Sequence, residues 1–187
     1  MIKDLHTLPA NLPVPVDDGA CDHLLGSTLP SISLTNATGN ATDLSTYANT
    51  LVIYFYPMLG RPDSPPLIGW NDIPGARGCT PQTCAFRDSN AELKQRGVGV
   101  FGVSAQRLED QREAHARLQL PFVLLNDGQF ALAEALKLPT FEYAGIRLIK
   151  RLTIITTGGL IRKVFYPVFP PNNNAYEVIA WLTAQQV

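Results

Sequence analysis

Two runs of almost uninterrupted apolar residues and glycine, at 51–56 and 98–103, dominate the hydrophobic pattern of this chain. Short runs of β-forming residues are typical of central strands covered on both faces, so each run predicts a buried strand. A shorter run at 122–125 predicts a further short strand. Residues 31–35 alternate polar and apolar side chains, and the turn-forming residues at 36–40 that follow them predict an N-terminal β-hairpin.

Helical patterns lie between and after these strands. Helices are predicted at 81–96, 108–118 and 130–136. Gly97 is the expected C-terminal stop of the first of them, because glycine readily takes the left-handed conformation that ends a helix. A last helix is predicted to run through Trp181, with Asn173 or Asn174 as its capping residue.

A second β-hairpin is predicted late in the chain. Its strands are expected at 149–156 and 160–166, on either side of the turn formed by Gly158 and Gly159. Strands and helices therefore alternate along most of the chain, which predicts an α/β fold with a central mixed β-sheet flanked by helices. The chain contains no internal repeat and no linker, and its 187 residues fit one main domain with a substantial core.

Composition and charge exclude several classes of protein. The net charge of −1 provides no basic surface for nucleic acid or for an anionic membrane. No apolar run is long enough to span a bilayer, and the first residues lack the apolar core of a secretory signal. Three cysteines are an odd number, which argues against a purely structural disulfide framework. These features predict a cytoplasmic protein.

The first 24 residues differ from the rest of the chain. They contain Pro9, Pro13 and Pro15, which predict an extended or loosely docked arm at 1–24 that precedes the main domain at 25–187. Cys21 lies in this arm and is expected to be a plain thiol with no catalytic part.

Cys79 and Cys84 lie across a junction between a loop and the helix predicted at 81–96. Thr80 is a candidate cap for the first turn, and Pro81 suits the first helical position because it lacks an N–H group. Cys79 is then expected at the helix N-terminus, where free amides and the helix dipole favour a thiolate, the reactive form of cysteine.

Two other interpretations of these cysteines remain open. A lone cysteine is often a small buried hydrophobic residue. A metal site is the other possibility, but zinc sites usually pair a C-x(2–4)-C motif with a second cluster. Cys21 and His23, in the N-terminal arm, are the ligands considered for such a second cluster.

Two motifs make the chain resemble a peroxiredoxin. They are Tyr54-Phe55-Tyr56-Pro57 and Gly78-Cys79-Thr80-x-x-x-Cys84-x-Phe86-Arg87-Asp88. The resemblance is to the bacterioferritin comigratory protein or peroxiredoxin Q branch, and it runs from about Leu25 to Leu182. It implies a thioredoxin-like fold and an antioxidant peroxidase without cofactor or metal. Such a protein is expected to be a monomer or weak dimer.

The resemblance also implies a division of roles between the two cysteines. Cys79 is the expected peroxidatic residue, which attacks the peroxide and becomes a sulfenic acid. Cys84 is the expected resolving residue, which closes an intrachain disulfide that thioredoxin or a similar thiol reductant then reduces. Because residues five apart on an intact helix have Cα atoms ~8.7 Å apart, the helix must unwind locally before this disulfide forms.

Further family residues can be placed on this sequence. Arg151 matches the arginine that opens a late strand and stabilises the thiolate and the leaving group, whereas Arg147 and Arg162 are expected to be solvated charges. Pro57 matches the proline that shields the site, but it lies 22 residues before Cys79 instead of seven. The family threonine is absent, because Ala76 occupies its position.

The extra residues before Cys79 predict an insertion at about 58–77. Long connections of this kind are usually functional or mobile, so we expect a flap over the site that supplies a polar group of its own. Trp70 and Ile68 are its expected anchors. The alternative is a surface loop that has no part in the function.

Alternative functions from other classes also use a reactive thiol. A peroxide-sensing redox switch needs the same chemistry as a peroxidase, and only sustained turnover distinguishes the two. A general thiol-disulfide oxidoreductase is less favoured, because C-x-x-C is its usual motif and C-x(4)-C is found here.

Overall fold

The computed structural model describes residues 5–64 and 67–186. Residues 1–4 of the predicted arm and 65–66 of the predicted insertion lie outside the described residues. The strands of the described chain are β1 (Ser33–Asn36), β2 (Ala41–Asp43), β3 (Thr50–Phe55), β4 (Gly99–Ser104), β5 (Val123–Asn126), β6 (Thr140–Tyr143), β7 (Ile146–Ile149), β8 (Leu152–Thr157) and β9 (Leu160–Phe165). Its helices are α1 (Cys79–Gln95), α2 (Leu108–Leu118), α3 (Ala131–Ala135) and α4 (Asn174–Ala184).

Seven of these strands form one mixed sheet in the order β2-β1-β5-β4-β3-β8-β9. Strands β3, β4 and β5 are parallel, and β1 and β8 flank them in the antiparallel sense. The predicted α/β fold and the N-terminal hairpin of β1 and β2 are therefore confirmed. The predicted hairpin around Gly158 and Gly159 is also present, as β8 and β9.

Strand β3 shows why its sequence is a continuous apolar run. Its side chains alternate between two core clusters, with Val52 and Tyr54 in one and Leu51, Ile53 and Phe55 in the other. The first cluster includes residues of α1, α2 and α4, and the second includes residues of α3 and the N-terminal arm. Each fully buried side chain of this size contributes about 1.5–3 kcal/mol to the stability of the fold.

The sequence did not predict the two-stranded sheet of β6 and β7. These strands pair through Thr140 and Ile149 at one end and Tyr143 and Ile146 at the other. Ile149 was expected to begin the strand that in fact starts at Leu152. The turn between β6 and β7 has a positive φ at both Ala144 and Gly145. Alanine rarely adopts that conformation, so Gly145 was the only residue of the pair that favoured this turn.

The N-terminal arm is docked more firmly than its prolines suggest. Leu5 and Cys21 are each only 3% exposed, and Leu24 is fully buried in the second core cluster. The carboxylate of Asp18 accepts hydrogen bonds from Lys150 Nζ at 2.9 Å and from Tyr166 Oη at 2.8 Å. Those two hydrogen bonds lower the pKa of Asp18 to about 2. These contacts hold the arm at several points, while residues 12–18 have no regular secondary structure, as an extended arm predicts.

The insertion packs on the hairpin that the sequence missed. Trp70 is buried, and its ring lies 5.0 Å from that of Tyr143 and 6.1 Å from that of Phe141 between centroids. The Tyr143 hydroxyl donates a hydrogen bond to the backbone carbonyl of Ile68 at 2.7 Å. Trp70 is thus an anchor as predicted, whereas the Ile68 side chain is 92% exposed and does not anchor the insertion.

None of the helices within residues 5–64 and 67–186 has both the length and the apolar composition that a bilayer crossing requires.

Trp70→Ala should lower the free energy of unfolding by roughly 3 kcal/mol, because it removes the aromatic contacts that hold the insertion on β6 and β7. Ile68→Ala, in the same insertion, should change it by less than about 0.5 kcal/mol. Urea denaturation of the two variants measures both values. Equal losses would show that Trp70 is not the anchor.

Candidate active site

Helix α1 begins at Cys79 because Gly78 can take a conformation that other residues cannot. Gly78 is the N-cap and has a φ of +109°. A Cβ at this position would lie 2.3 Å from Cγ of Pro171 and 3.0 Å from Cδ2 of Leu8. The predicted cap at Thr80 is therefore wrong: Thr80 and Pro81 are the second and third helical residues, and Cys79 is the first.

Helix α1 is fixed on the central strand β3 by a contact below Cys79. The ring of Phe86 stacks on that of Tyr54 with centroids 4.7 Å apart. The Tyr54 hydroxyl donates a hydrogen bond to Oγ1 of Thr83 at 3.2 Å, and all three side chains are fully buried. The start of the helix is thereby held at the edge where β3 ends.

The thiol of Cys79 lies against a buried cation. Cys79 is 3% exposed, and Nη2 of Arg151 lies 3.2 Å from the Sγ atom of Cys79. The Cys79 thiol also lies 3.7 Å from the backbone carbonyl of Ala76, toward which it can donate its proton. Arg151, predicted from the sequence to lie next to this cysteine, is brought there because it directly precedes β8, the neighbour of β3.

Arg151 is held by neutral acceptors. Its Nε donates to the carbonyl of Gly75 at 3.2 Å, and its Nη2 donates to those of Ala76 at 2.9 Å and Arg77 at 3.2 Å. Nη1 donates to Oε1 of Gln82. Among the described residues no carboxylate forms an ion pair with Arg151. The guanidinium therefore has its donors satisfied by neutral oxygens, and the sulfur of Cys79 is in direct contact with it.

A buried amide network sets the orientation of Gln82. Its Nε2 donates to Oδ1 of Asn174 at 3.0 Å, and the hydroxyl of Thr153 donates to the same oxygen at 2.7 Å. With its Nε2 so engaged, Gln82 turns its oxygen toward Arg151. The sequence missed these three residues. Asn174 was expected to cap the last helix, but neither it nor Asn173 makes a side-chain cap there.

Cys84 lies farther along α1 and is also buried. Burial raises the pKa of its thiol. Its Sγ lies 3.8 Å from Nδ1 of His6, a contact with the N-terminal arm that the sequence did not predict. All three cysteines are free thiols, and α1 is continuous from Cys79 through Cys84.

Cys21 is placed far from this chemistry. It belongs to the core cluster that contains Leu51, Ile53 and Phe55, whereas Cys79 and Cys84 belong to the other cluster. Burial, the largest cause, raises the pKa of Cys21 to about 12.

His23, the other ligand considered for a metal site, is engaged elsewhere: its Nε2 contacts the carbonyl of Leu136 at 2.8 Å. In the part of the chain that the structure describes, no three His, Cys, Asp or Glu side chains are grouped to hold a metal ion.

A cavity of about 610 Å³ opens beside Cys79. Its walls come from the arm, the insertion, the start of α1 and the region around α2. Apolar side chains such as Leu5, Leu8 and Trp70 alternate there with charged ones such as Arg61 and Asp110. The volume is far larger than a hydrogen peroxide molecule requires, so there is room for an organic group beside the thiol.

The remaining predicted positions lie near this site or on the surface. Pro57 is buried, and its carbonyl accepts a hydrogen bond from Oγ of Ser104 at 3.0 Å; the next residue, Met58, lines the cavity. Arg147 is exposed and pairs with Glu134 at 2.8 Å. Arg162 is exposed as well. The shielding role of Pro57 stays a prediction.

Gly78→Ala should disrupt the start of α1 more than an equivalent change at a glycine with open surroundings. Gly39 is a matched control, because its φ is +88° and a Cβ there would meet no atom within 4 Å. Gly39→Ala should therefore show only the backbone strain, about 1 kcal/mol. Gly78→Ala should cost at least about twice as much, since Pro171 and Leu8 must also move. Urea denaturation tests this, and equal losses would contradict it.

Comparisons with known proteins show which family this chain matches. The redoxin family model matches residues 24–179. The chloroplastic peroxiredoxin Q of Oryza sativa subsp. japonica is 28% identical over 155 residues, which cover 82% of this chain. They cover only 64% of the length of that relative.

Solved structures share the fold. Peroxidoxin BcpB from Mycobacterium tuberculosis superposes with a TM-score of 0.69 at 23% identity, over 86% of this chain and 96% of that one. The bacterioferritin comigratory protein of Xanthomonas campestris, whose structures concern alkyl peroxide reduction, has a TM-score of 0.65 at 23% identity. That match covers 94% of this chain and 99% of that one. The predicted thioredoxin-like fold is thereby confirmed.

Because the redoxin family model matches residues 24–179, which are most of the chain, the chain belongs to the redoxin family.

Proposed function

We propose that this protein is a thiol-dependent peroxidase that reduces hydrogen peroxide or organic hydroperoxides through Cys79. The observation that carries the proposal is the 3.2 Å contact between Sγ of Cys79 and the buried guanidinium of Arg151. This pair lies at a helix N-terminus and faces a cavity of about 610 Å³. The alkyl peroxide reduction described for the Xanthomonas campestris neighbour supports the same assignment.

In the first step the Cys79 thiolate attacks one oxygen of the peroxide. The O–O bond breaks, the sulfur becomes a sulfenic acid, and the second oxygen leaves as an alcohol or water after it takes up a proton. Negative charge moves from the sulfur toward the departing oxygen as the bond breaks. Arg151 and the amides of the first helical turn are fixed donors for that charge, so they stabilise both the thiolate and the transition state.

The insertion contributes to this step through its backbone. Gly75, Ala76 and Arg77 accept hydrogen bonds from Arg151 and so hold its guanidinium against the sulfur. The sequence predicted that the insertion would supply a polar group in place of the threonine absent at Ala76. We propose that these three carbonyls act in that role by positioning Arg151 rather than by contacting the peroxide.

In the second step we propose that Cys84 resolves the sulfenic acid. Its thiolate attacks Sγ of Cys79, a disulfide forms, and the sulfenic oxygen leaves as water. The first turns of α1 must unwind for this, since the Cα atoms of residues five apart on a helix are ~8.7 Å apart and a disulfide needs less than about 7 Å. Unwinding also brings the disulfide to the surface, where a thiol reductant can reduce it.

Thioredoxin is the reductant that we propose, with a glutathione or glutaredoxin system as the other outcome of a turnover assay. We further propose that the protein acts as a monomer or weak dimer in the cytoplasm. A cycle that consumes thiol electrons fits a reducing compartment of this kind.

Serine variants of the cysteines should divide the cycle into its steps. Cys79→Ser should abolish reaction with peroxide, because no other thiol lies beside Arg151. Cys84→Ser should consume about one equivalent of peroxide, stop at the sulfenic acid, and over-oxidise when peroxide is in excess. Mass spectrometry of each variant after one equivalent of peroxide shows which cysteine has been oxidised and to what extent.

Cys21→Ser is the matched control, and it should keep full turnover with thioredoxin. A disulfide between Cys21 and Cys79 in the wild type would overturn the role of Cys84. A wild type that takes up one equivalent of peroxide but is not recycled by any thiol reductant would indicate a redox switch instead of a peroxidase.

Arg151→Ala should slow the reaction of Cys79 with peroxide by roughly 100-fold or more, the usual cost of removing a fixed donor from a developing oxyanion. Stopped-flow measurement of the second-order rate constant gives the value. Arg147→Ala should change it by less than about twofold, because that arginine pairs with Glu134 on the surface. Equal rates in both variants would remove Arg151 from the mechanism.

A further inference from the structure

Residues 5–9 of the arm cross the start of α1 and are fixed there on both sides of His6. The side chain of Leu5 is 3% exposed and packs so closely on Gly60 that a Cβ there would lie 2.7 Å from it. The carbonyl of Thr7 accepts a hydrogen bond from Nη2 of Arg77 at 3.2 Å. Leu8 packs on Gly78, the N-cap of α1. His6 is therefore held at a defined place between these anchors.

The imidazole of His6 meets the thiol of Cys84 at that place. Nδ1 of His6 lies 3.8 Å from Sγ of Cys84, within hydrogen-bond range for sulfur. His6 is exposed to water, whereas Cys84 is buried. A proton that leaves the buried thiol can thus pass to a group that is in contact with water.

Cys84 needs such a group if it is to act as a nucleophile. Burial is the largest influence on its thiol and raises its pKa, while Arg87 and Arg117 lower it and Asp88 raises it further. The phenol of Tyr54 is a further titratable group near it. Near neutral pH the residue is therefore mostly the unreactive thiol, whereas only the thiolate attacks a sulfenic acid.

We propose that His6 is the catalytic base of the resolution step and takes the proton of the Cys84 thiol. The proposal rests on the proposed function, because it assumes that Cys84 resolves the sulfenic acid of Cys79. The proposal gives the N-terminal arm a direct part in the catalytic cycle, although the arm lies outside the helix that carries the two thiols.

The step balances as follows in atoms and electrons. While α1 is folded, Nδ1 of His6 accepts the proton of the Cys84 thiol. Once the first turns have unwound, the resulting thiolate attacks Sγ of the Cys79 sulfenic acid. The S–S bond forms as the S–O bond breaks, so Cys84 is oxidised and the Cys79 sulfur is reduced by the same pair of electrons. The departing hydroxide takes a proton, which the imidazolium can return, and leaves as water.

The test separates the two steps in His6→Asn, with His23→Asn as the matched control from the same arm. One equivalent of hydrogen peroxide is mixed with each reduced protein, and samples are quenched over time. Mass spectrometry counts the sulfenic acid, trapped with dimedone, and the disulfide. His6→Asn should form the sulfenic acid at close to the wild-type rate and the disulfide at least about tenfold more slowly at pH 7. His23→Asn should match the wild type in both steps.

Two further readouts exclude a merely structural role of His6. In His6→Ala, added imidazole should restore much of the rate of disulfide formation. In His6→Asn, the deficit should shrink as the pH rises, because Cys84 then ionises without a base. Circular dichroism checks that each variant is folded, and His6→Gln replaces His6→Asn if that variant is not.

Disulfide formation in His6→Asn at or above the wild-type rate would overturn the proposal. A slowdown that neither imidazole nor higher pH relieves would overturn it too, and would leave His6 only a part of the docked arm. Failure of the wild type itself to form a sulfenic acid at Cys79 would instead overturn the proposed function, so the two failures are distinct.

Discussion

The buried guanidinium of Arg151 is the constraint on which the rest of the site depends. Removing such a group from water costs several kcal/mol unless its donors and its charge are compensated. Carbonyls of the insertion and the amide oxygen of Gln82 satisfy the donors, but these acceptors are neutral. The sulfur of Cys79 is the group beside it that can carry the balancing negative charge. The folding of the site and the proposed reactivity of this thiol therefore depend on the same side chain.

This constraint explains several features that look unrelated in the sequence. The insertion begins after β3 and ends just before Gly78. The backbone carbonyls of its last residues accept the hydrogen bonds of Arg151. Trp70 packs the insertion against β6 and β7. This small sheet therefore helps to position the carbonyls that bind Arg151. Asn174 reaches the same site from the start of α4, where it orients Gln82.

Helix α1 has to meet two opposite demands in the proposed cycle. It must be folded for Cys79 to lie at its N-terminus beside Arg151, and its first turns must unwind before Cys84 can reach Cys79. The start of the helix is suited to both. The N–H groups of the first turn have no partner within the helix, and its first backbone bond runs from the N–H of Gln82 to the carbonyl of Gly78 at 3.0 Å. Contacts with Leu8 and Pro171 hold Gly78 in place while the helix is folded. The arm therefore lies where it can influence how readily the helix opens.

The sequence by itself was enough for features that depend on neighbouring residues. Apolar runs predicted β3 and β4, since a strand buried on both faces has to be apolar throughout. Turn-forming glycines predicted the hairpin of β8 and β9. The two cysteines and Arg151 were found because they stand in short motifs whose spacing a family shares.

The tertiary structure alone decided which distant residues meet at the site. Gln82, Thr153 and Asn174 are ordinary polar residues in their local patterns, and the contact between Gln82 and Asn174 joins positions 92 residues apart. The arm looked loosely held because prolines disfavour regular structure, yet Leu5 and Cys21 are buried by elements far along the chain. Local periodicity reports whether a side chain is buried, but not which partner it meets there. That choice depends on how the strands are ordered in the sheet. The contact between His6 and Cys84 depends in the same way on where the arm docks against α1.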